Sequence, residues 1–337
     1  MLKIFKPCDF HVHLREGSLS QVVLRENNKH FQKILVMPNL KKPLTNSNLL
    51  LSYRKKILKN NKSSQILFTI YLNKDCSLND LDFMHKNKLF FSAKLYPLNA
   101  TTNSASGVSD IKKMFKYFAF LEENNIPLCI HGEHVHNNDD PYDREKKFLD
   151  KELSWITKKF KSLKITLEHI TTKDSVSFVK SHQNISATIT THHLLENTYT
   201  FLGNELKPEL FCKPIIKGSI HQEALQKVAL SGNSKFFFGS DSAPHLKTRK
   251  FSSSCCAGVY STKYAISNIL EFFWLNKKTS NLNKFLTQNG CKHYGLNYDK
   301  KTYIYKRINS FKFQKYSKFN NDYLINYNFY KNLWLKI

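Results

Sequence analysis

Short runs of β-branched and aromatic residues recur down the chain, with amphipathic stretches between them. Eight runs stand out: Lys3–Phe10, Lys33–Pro38, Gln65–Leu72, Phe90–Tyr96, Ile126–His131, Lys164–His169, Ile185–Thr191 and Lys235–Ser240. The amphipathic stretches include Leu49–Leu58, Val108–Asn124, Tyr142–Phe160, Ser175–Ser181 and His221–Leu230. In Val108–Asn124, Ile111, Met114, Phe115, Phe118 and Leu121 recur at the spacing of a helix with one apolar face. Strands alternating with helices predict βαβ units and a parallel sheet. Eight such units predict an α/β fold of the (β/α)8, or TIM-barrel, type. A doubly wound open sheet is the alternative, but no Gly-x-Gly-x-x-Gly follows any early run.

Length and composition narrow this picture. The chain has 337 residues, 41% of them hydrophobic, enough for one large barrel or two smaller domains. We expect one barrel domain over residues 1–337. Its last part, 301–337, is rich in Tyr, Phe, Lys and Asn and is expected to form a C-terminal extension, packed beneath the barrel or at a dimer contact. No apolar run reaches the ~18 residues of a membrane span. The N-terminus lacks the apolar core and cleavage site of a secretory signal. Seven cysteines with no Cys-x-x-Cys spacing fit a reduced, cytoplasmic protein. The formal charge of +26 raises nucleic acid as a partner. The lysines, however, are spread along the whole chain among many asparagines, with no arginine-rich block. That pattern reads as a solvated basic surface, so neither a nucleic-acid nor a membrane partner is expected.

Candidate chemistry collects at the ends of the runs. His11 and His13 are two apart, so an extended backbone turns both to one face, with Arg15 just beyond. Asn39 follows Met37-Pro38, Lys94 interrupts an apolar run, and His131 and His169 each end one. Asp241 follows the last, with His245 beyond it. Each has a plain explanation alone: a core histidine, an edge lysine, or a helix cap for Asp241. Together they fall where barrel enzymes carry their active sites, at the C-terminal ends of strands. Lysine is costly to bury as a cation. A buried Lys94 would lose its charge, and reaction with carbon dioxide would turn it into a carbamate able to bridge two cations. His182, His192, His193 and His221 lie in polar or helical contexts and are expected at the surface or in support.

The ordered words around these residues are more specific. Asp9-Phe10-His11-Val12-His13-Leu14-Arg15, Met37-Pro38-Asn39, Ala93-Lys94-Leu95-Tyr96-Pro97 and Asn99-Ala100-Thr101-Thr102-Asn103-Ser104 resemble the dihydroorotase family of the shorter, bacterial type, within the amidohydrolase superfamily. So do Glu168-His169-Ile170-Thr171-Thr172, Gly239-Ser240-Asp241-Ser242-Ala243-Pro244-His245 and Cys255-Cys256-Ala257-Gly258. The resemblance implies a zinc cyclic amidase. His11, His13 and Asp241 would hold one Zn2+, His131 and His169 a second, and N6-carboxylated Lys94 would bridge them. It also implies that Asp241 moves the proton during attack on the ring amide. Arg15, Asn39 and His245 would anchor a substrate carboxylate. Backbone groups of Lys213 and Ala257 would meet the ring, next to His13 and His131. Thr101 and Thr102 would belong to a closing loop. A homodimer acting on a small molecule is the implied assembly. Lys213 departs from the pattern, since an apolar residue is expected there. A hydantoinase-like amidohydrolase is the nearest alternative activity; a basic nucleic-acid-binding protein is the alternative from another class.

Overall fold

The computed structural model describes residues 1–337 except positions 62 and 137. Strand β1 (Leu2–Phe5) precedes eight parallel strands: β2 (Cys8–Val12), β3 (Lys33–Val36), β4 (Gln65–Leu72), β5 (Ser92–Leu95), β6 (Leu128–His131), β7 (Ile165–Glu168), β8 (Ile185–Ile189) and β9 (Phe236–Phe238). These eight lie side by side in sequence order. Above the last rungs, Asp241 N–H donates to His11 O at 2.9 Å and His13 N–H to Ser242 O at 3.1 Å, joining the first strand to the chain beyond the last. Below, Phe237 meets Phe10 edge-on, with ring centroids 5.3 Å apart. The sheet therefore closes into the expected barrel.

Alternation along the strands sorts the side chains. Ile34 and Val36, Leu128 and Ile130, and Ile165 and Leu167 join the apolar layer shared with the surrounding helices. The intervening positions turn inward. At the lower end these are Cys8, Phe10, Leu35, Leu67, Cys129 and Phe237, packed against Cys291 and Tyr294 of the helix Asn289–Tyr294. The register of β2 against β3 shifts between Asp9 and Val12. This irregularity lets Phe10 fill the floor while His11 still enters the mouth.

The first predicted run, Lys3–Phe10, is two strands rather than one. Pro7 interrupts it, because proline has no N–H to give a ladder. Only β2 enters the barrel. β1 pairs antiparallel with β10 (Thr302–Ile308), which also pairs with β13 (Leu333–Lys336). Between them β11 (Tyr316–Phe319) and β12 (Asp322–Ile325) form a hairpin. The tail thus packs along the helix Thr262–Leu275. Trp334 N–H donates to Ser267 Oγ, and its indole donates to Glu271, which also pairs with Arg307. The hairpin reaches the loops after β9: Leu246 bridges to Leu324, and Thr248 Oγ1 donates to Asp322 Oδ2. No helix among the described residues is long and apolar enough to cross a membrane.

Candidate active site

Three residues at the barrel mouth depart from ordinary backbone geometry. Arg15, His169 and Asp241 have φ values of 65°, 42° and 44°. This left-handed region costs a non-glycine residue roughly 1–2 kcal/mol. Local bonds hold two of them: His169 N–H donates to Thr188 Oγ1 at 2.7 Å, and Asp241 N–H to His11 O. The turns aim the His169 and Asp241 side chains back over the barrel axis.

His11 Nε2 and His13 Nε2 stand 3.3 Å apart, and they lie 3.1 and 2.9 Å from Asp241 Oδ1. Two imidazoles and a carboxylate converging this closely match the spacing of ligands around a cation with bonds of about 2.0–2.2 Å. Burial, followed by the opposing pull of Asp241, leaves the His13 ring with a pKa near 4, so the neutral ligand form prevails at pH 7. Burial alone would raise Asp241. The charges and hydrogen bonds of His11 and His13 prevail and hold it well below the usual carboxylate range. Asp9 braces this group from behind. It accepts from Ser240 Oγ at 2.5 Å, Ser240 N–H at 2.8 Å and His11 N–H at 3.1 Å.

The remaining expected ligands are neighbours but are drawn to other partners. The ring centroid of His169 lies 5.0 Å from that of His11 and 4.7 Å from that of His131, and His169 Nδ1 is buried without a partner among the described residues. That orphaned nitrogen suits a metal. His131 Nε2 instead meets Glu133 Oε2 at 2.6 Å, and Lys94 Nζ is paired with Glu168. Each basic group has taken the nearest buried carboxylate. Lys94 is fully buried, and desolvation pushes its amine down to about 7. Glu168 Oε2 also lies 2.9 Å from His11 Nδ1, behind the face that meets Asp241. Glu168, Glu133 and Asp9 were not anticipated as site residues.

A small pocket opens beside Asp241. His13, Arg15, Asn39, Thr101, Thr102, Lys213 and Ala257 all contribute to its wall, while His131 does not. The Thr101–Thr102 loop rests on it: Asn39 Nδ2 donates to Thr102 O at 3.0 Å, and Thr102 Oγ1 donates to Ala257 O at 3.2 Å. Arg15 Nε donates to Pro244 O, and no carboxylate pairs with its guanidinium among the described residues. His245 Nε2 lies 3.0 Å from Arg15 Nη2 and 2.9 Å from Ala257 O. Burial, then the charge of Arg15, pushes His245 down to about 3, so its ring is neutral at pH 7. That one nitrogen can accept from arginine or donate to the carbonyl, but not both. His192 and His193, expected at the surface or in support, are buried beyond β8. Thr190 caps the short helix Thr191–Leu195, which folds them inward.

A parallel barrel with a His-x-His pair on its first strand and an aspartate after its last defines a metal-dependent amidohydrolase. The sequence profile described as "Amidohydrolase family" matches residues 8–300, so the chain belongs to that family. Within it, the chain groups with the dihydroorotases. The dihydroorotase of Aliivibrio fischeri (strain MJ11) is 43% identical over 298 residues, covering 88% of this chain and 87% of that protein. The Campylobacter jejuni dihydroorotase structure superposes with a TM-score of 0.89 at 35% identity, covering 99% of this chain and 97% of that one. The Saccharomyces cerevisiae dihydroorotase, solved with 5-fluoroorotic acid, gives 0.90 at 29% identity, covering 100% and 99%.

Proposed function

We propose that this chain is a dihydroorotase, interconverting N-carbamoyl-L-aspartate and (S)-dihydroorotate plus water in pyrimidine biosynthesis. The observation that carries the substrate assignment is Arg15, a partly buried guanidinium beside Asp241 with no carboxylate of its own among the described residues. A substrate carboxylate supplies the missing partner in bidentate geometry. It also relieves His245, whose Nε2 can then donate to the anion or to Ala257 O. Asn39 completes the anchor, backbone groups of Lys213 and Ala257 meet the ring, and His13 borders it; His131, outside this wall, is left to the metal.

The donor set fits a metal. In this reading His11, His13 and Asp241 hold one Zn2+, and His131 and His169 hold a second. Lys94, once its neutral amine nitrogen has bonded to the carbon of CO2 and released a proton, would as the N6-carboxylate be a ligand to both. The depressed amine supplies that neutral form near pH 7. Bound zinc polarises the amide carbonyl and lowers the pKa of water. Asp241 receives the proton of the attacking water on the carboxylate oxygen that does not face His11 and His13, and delivers it to the leaving ring nitrogen. Hydroxyl is added to carbon and hydrogen to nitrogen, so the hydrolysis balances. The Thr101–Thr102 loop opens to admit the substrate and closes to exclude bulk water.

The reading extends to one barrel domain over residues 1–337 with 301–337 as its extension, and to a cytoplasmic homodimer, which light scattering on the full chain tests. A substrate panel tests the activity. Dihydroorotate should be turned over, and 5,6-dihydrouracil, which lacks the carboxylate, should not. Equal rates on both would favour a hydantoinase-like enzyme and remove Arg15 from its role.

A further inference from the structure

A second cluster of metal-ligating side chains lies apart from the Asp241 centre. His192 and His193 belong to the helix Thr191–Leu195, and Cys212 directly precedes Lys213 on the pocket wall. All three are buried. One ring nitrogen of each histidine and the Cys212 sulfur lie within 4.8 Å of one another. Cys212 Sγ is 3.4 Å from His193 Nε2, and Pro214 O lies 3.3 Å from that sulfur and 3.0 Å from the same nitrogen. The Cys212–His193 separation is close to the 3.3 Å between His11 Nε2 and His13 Nε2.

Hydrogen bonding accounts for His193, whose Nδ1 meets Thr190 Oγ1 at 3.0 Å and whose Nε2 meets Pro214 O. It does not account for His192. That ring is fully buried, yet neither nitrogen has a hydrogen-bond partner among the described residues. Burying two unpartnered polar atoms is unfavourable, and a bound ion would satisfy one of them. We propose that His192, His193 and Cys212 form a separate cation site that takes one thiophilic divalent ion of the zinc or cadmium class. Imidazole with thiolate selects such ions over hard, oxygen-seeking cations. The Asp241 centre contains no cysteine, so the two sites differ in softness. Burial favours the protonated thiol of Cys212. Binding therefore replaces the sulfur–hydrogen bond with a sulfur–metal bond and releases one proton. A filled site would tie the end of β8 to the Cys212–Lys213 wall of the pocket.

The test is a Cd2+ titration of protein loaded with only the two Zn2+ equivalents that the Asp241 centre takes, followed by the cadmium–thiolate charge-transfer absorption and by proton release. Cys255→Ser/Cys256→Ser protein serves as the parent, since those two thiols are partly exposed. The parent should bind one thiolate-linked equivalent and release about one proton per ion. Adding Cys212→Ser should remove that equivalent, and His192→Gln should weaken it by ~10-fold or more. No thiolate absorption in the parent would overturn the site. So would an unchanged titration in the Cys212→Ser protein, which would place the ion at another cysteine pair such as Cys8 and Cys291, whose sulfurs lie 3.9 Å apart.

Discussion

The mouth and the floor of the barrel are built from the same strands by opposite rules. On β2, Phe10 stacks on Tyr294 at 5.3 Å, while the next residue, His11, meets Asp241. On β6, Cys129 joins the apolar floor, while His131, two residues on and so on the same face, meets Glu133. The floor is aromatic and closely packed. The mouth crowds carboxylates and imidazoles together, with left-handed backbone at Arg15, His169 and Asp241. Such strain and buried charge persist only where the surroundings over-determine them. The floor and the outer apolar layer supply that determination, and the mouth spends it on chemistry.

This contrast can be broken by substitution. Asp241→Asn and Lys94→Ala should each lower dihydroorotate turnover by roughly 10²–10⁴-fold or more. The unfolding midpoint of Asp241→Asn should stay near or above that of the parent, because removing a strained active-site charge is commonly neutral or stabilising. Near-normal turnover in Asp241→Asn would end its proton-transfer role. Phe10→Ala should do the reverse at the floor, costing about 3–5 kcal/mol in denaturant unfolding. A loss below about 1 kcal/mol would mean that the floor is not what holds the strands together.

Arg15→Lys should lower kcat/KM by about 10–100-fold, chiefly through KM, since lysine keeps the charge but not the fork. At Gly290 an added Cβ would lie 2.2 Å from the Phe10 ring. Gly290→Ala should therefore destabilise by about 1–3 kcal/mol, despite alanine's better helix propensity. A stabilised Gly290→Ala protein would contradict the tight floor. Glu26, on an outer helix, serves as a control for both ends. Burial opposes its ionisation, but His30 and Lys29 hold its carboxyl at about 2 instead of 4.5. Its folded pKa is depressed, so its contribution is complete above pH 4.5 and fades as pH falls towards 2. Glu26→Gln should cost ~0.2–1 kcal/mol at pH 7. That difference should vanish near pH 2, with no effect on turnover.

Much of the mouth was legible in the sequence because chemistry-bearing residues stand out against apolar runs. Lys94 and His131 are conspicuous in β5 and β6, and in a barrel matching strand ends share one opening. Glu168 was missed although its signal was present. Thr166 and Glu168 alternate with Ile165 and Leu167, which puts both polar residues on the inner face. The adjacent His169 falls on the other face by that alternation and turns inward only through its left-handed backbone. Glu133 lies beyond a strand, where no periodicity marks direction. His192 and His193 looked polar because they sit among threonines, and their burial depends on how Thr190 caps the following turn. The division of Lys3–Phe10 and the tail sheet rest on pairing between residues about 300 positions apart, such as Leu2 with Tyr305. Local pattern carries no record of so distant a partner.

The most direct test of the central claim, that the mouth runs a metal-dependent cyclic-amide reaction, is a chelation and reconstitution cycle. Metal content and dihydroorotate hydrolysis are measured on the same sample before chelation, after it, and after Zn2+ and bicarbonate are returned. Turnover should fall with the metal and recover when about two equivalents have rebound at the Asp241 centre. Undiminished turnover in protein shown to be metal-free would contradict the account.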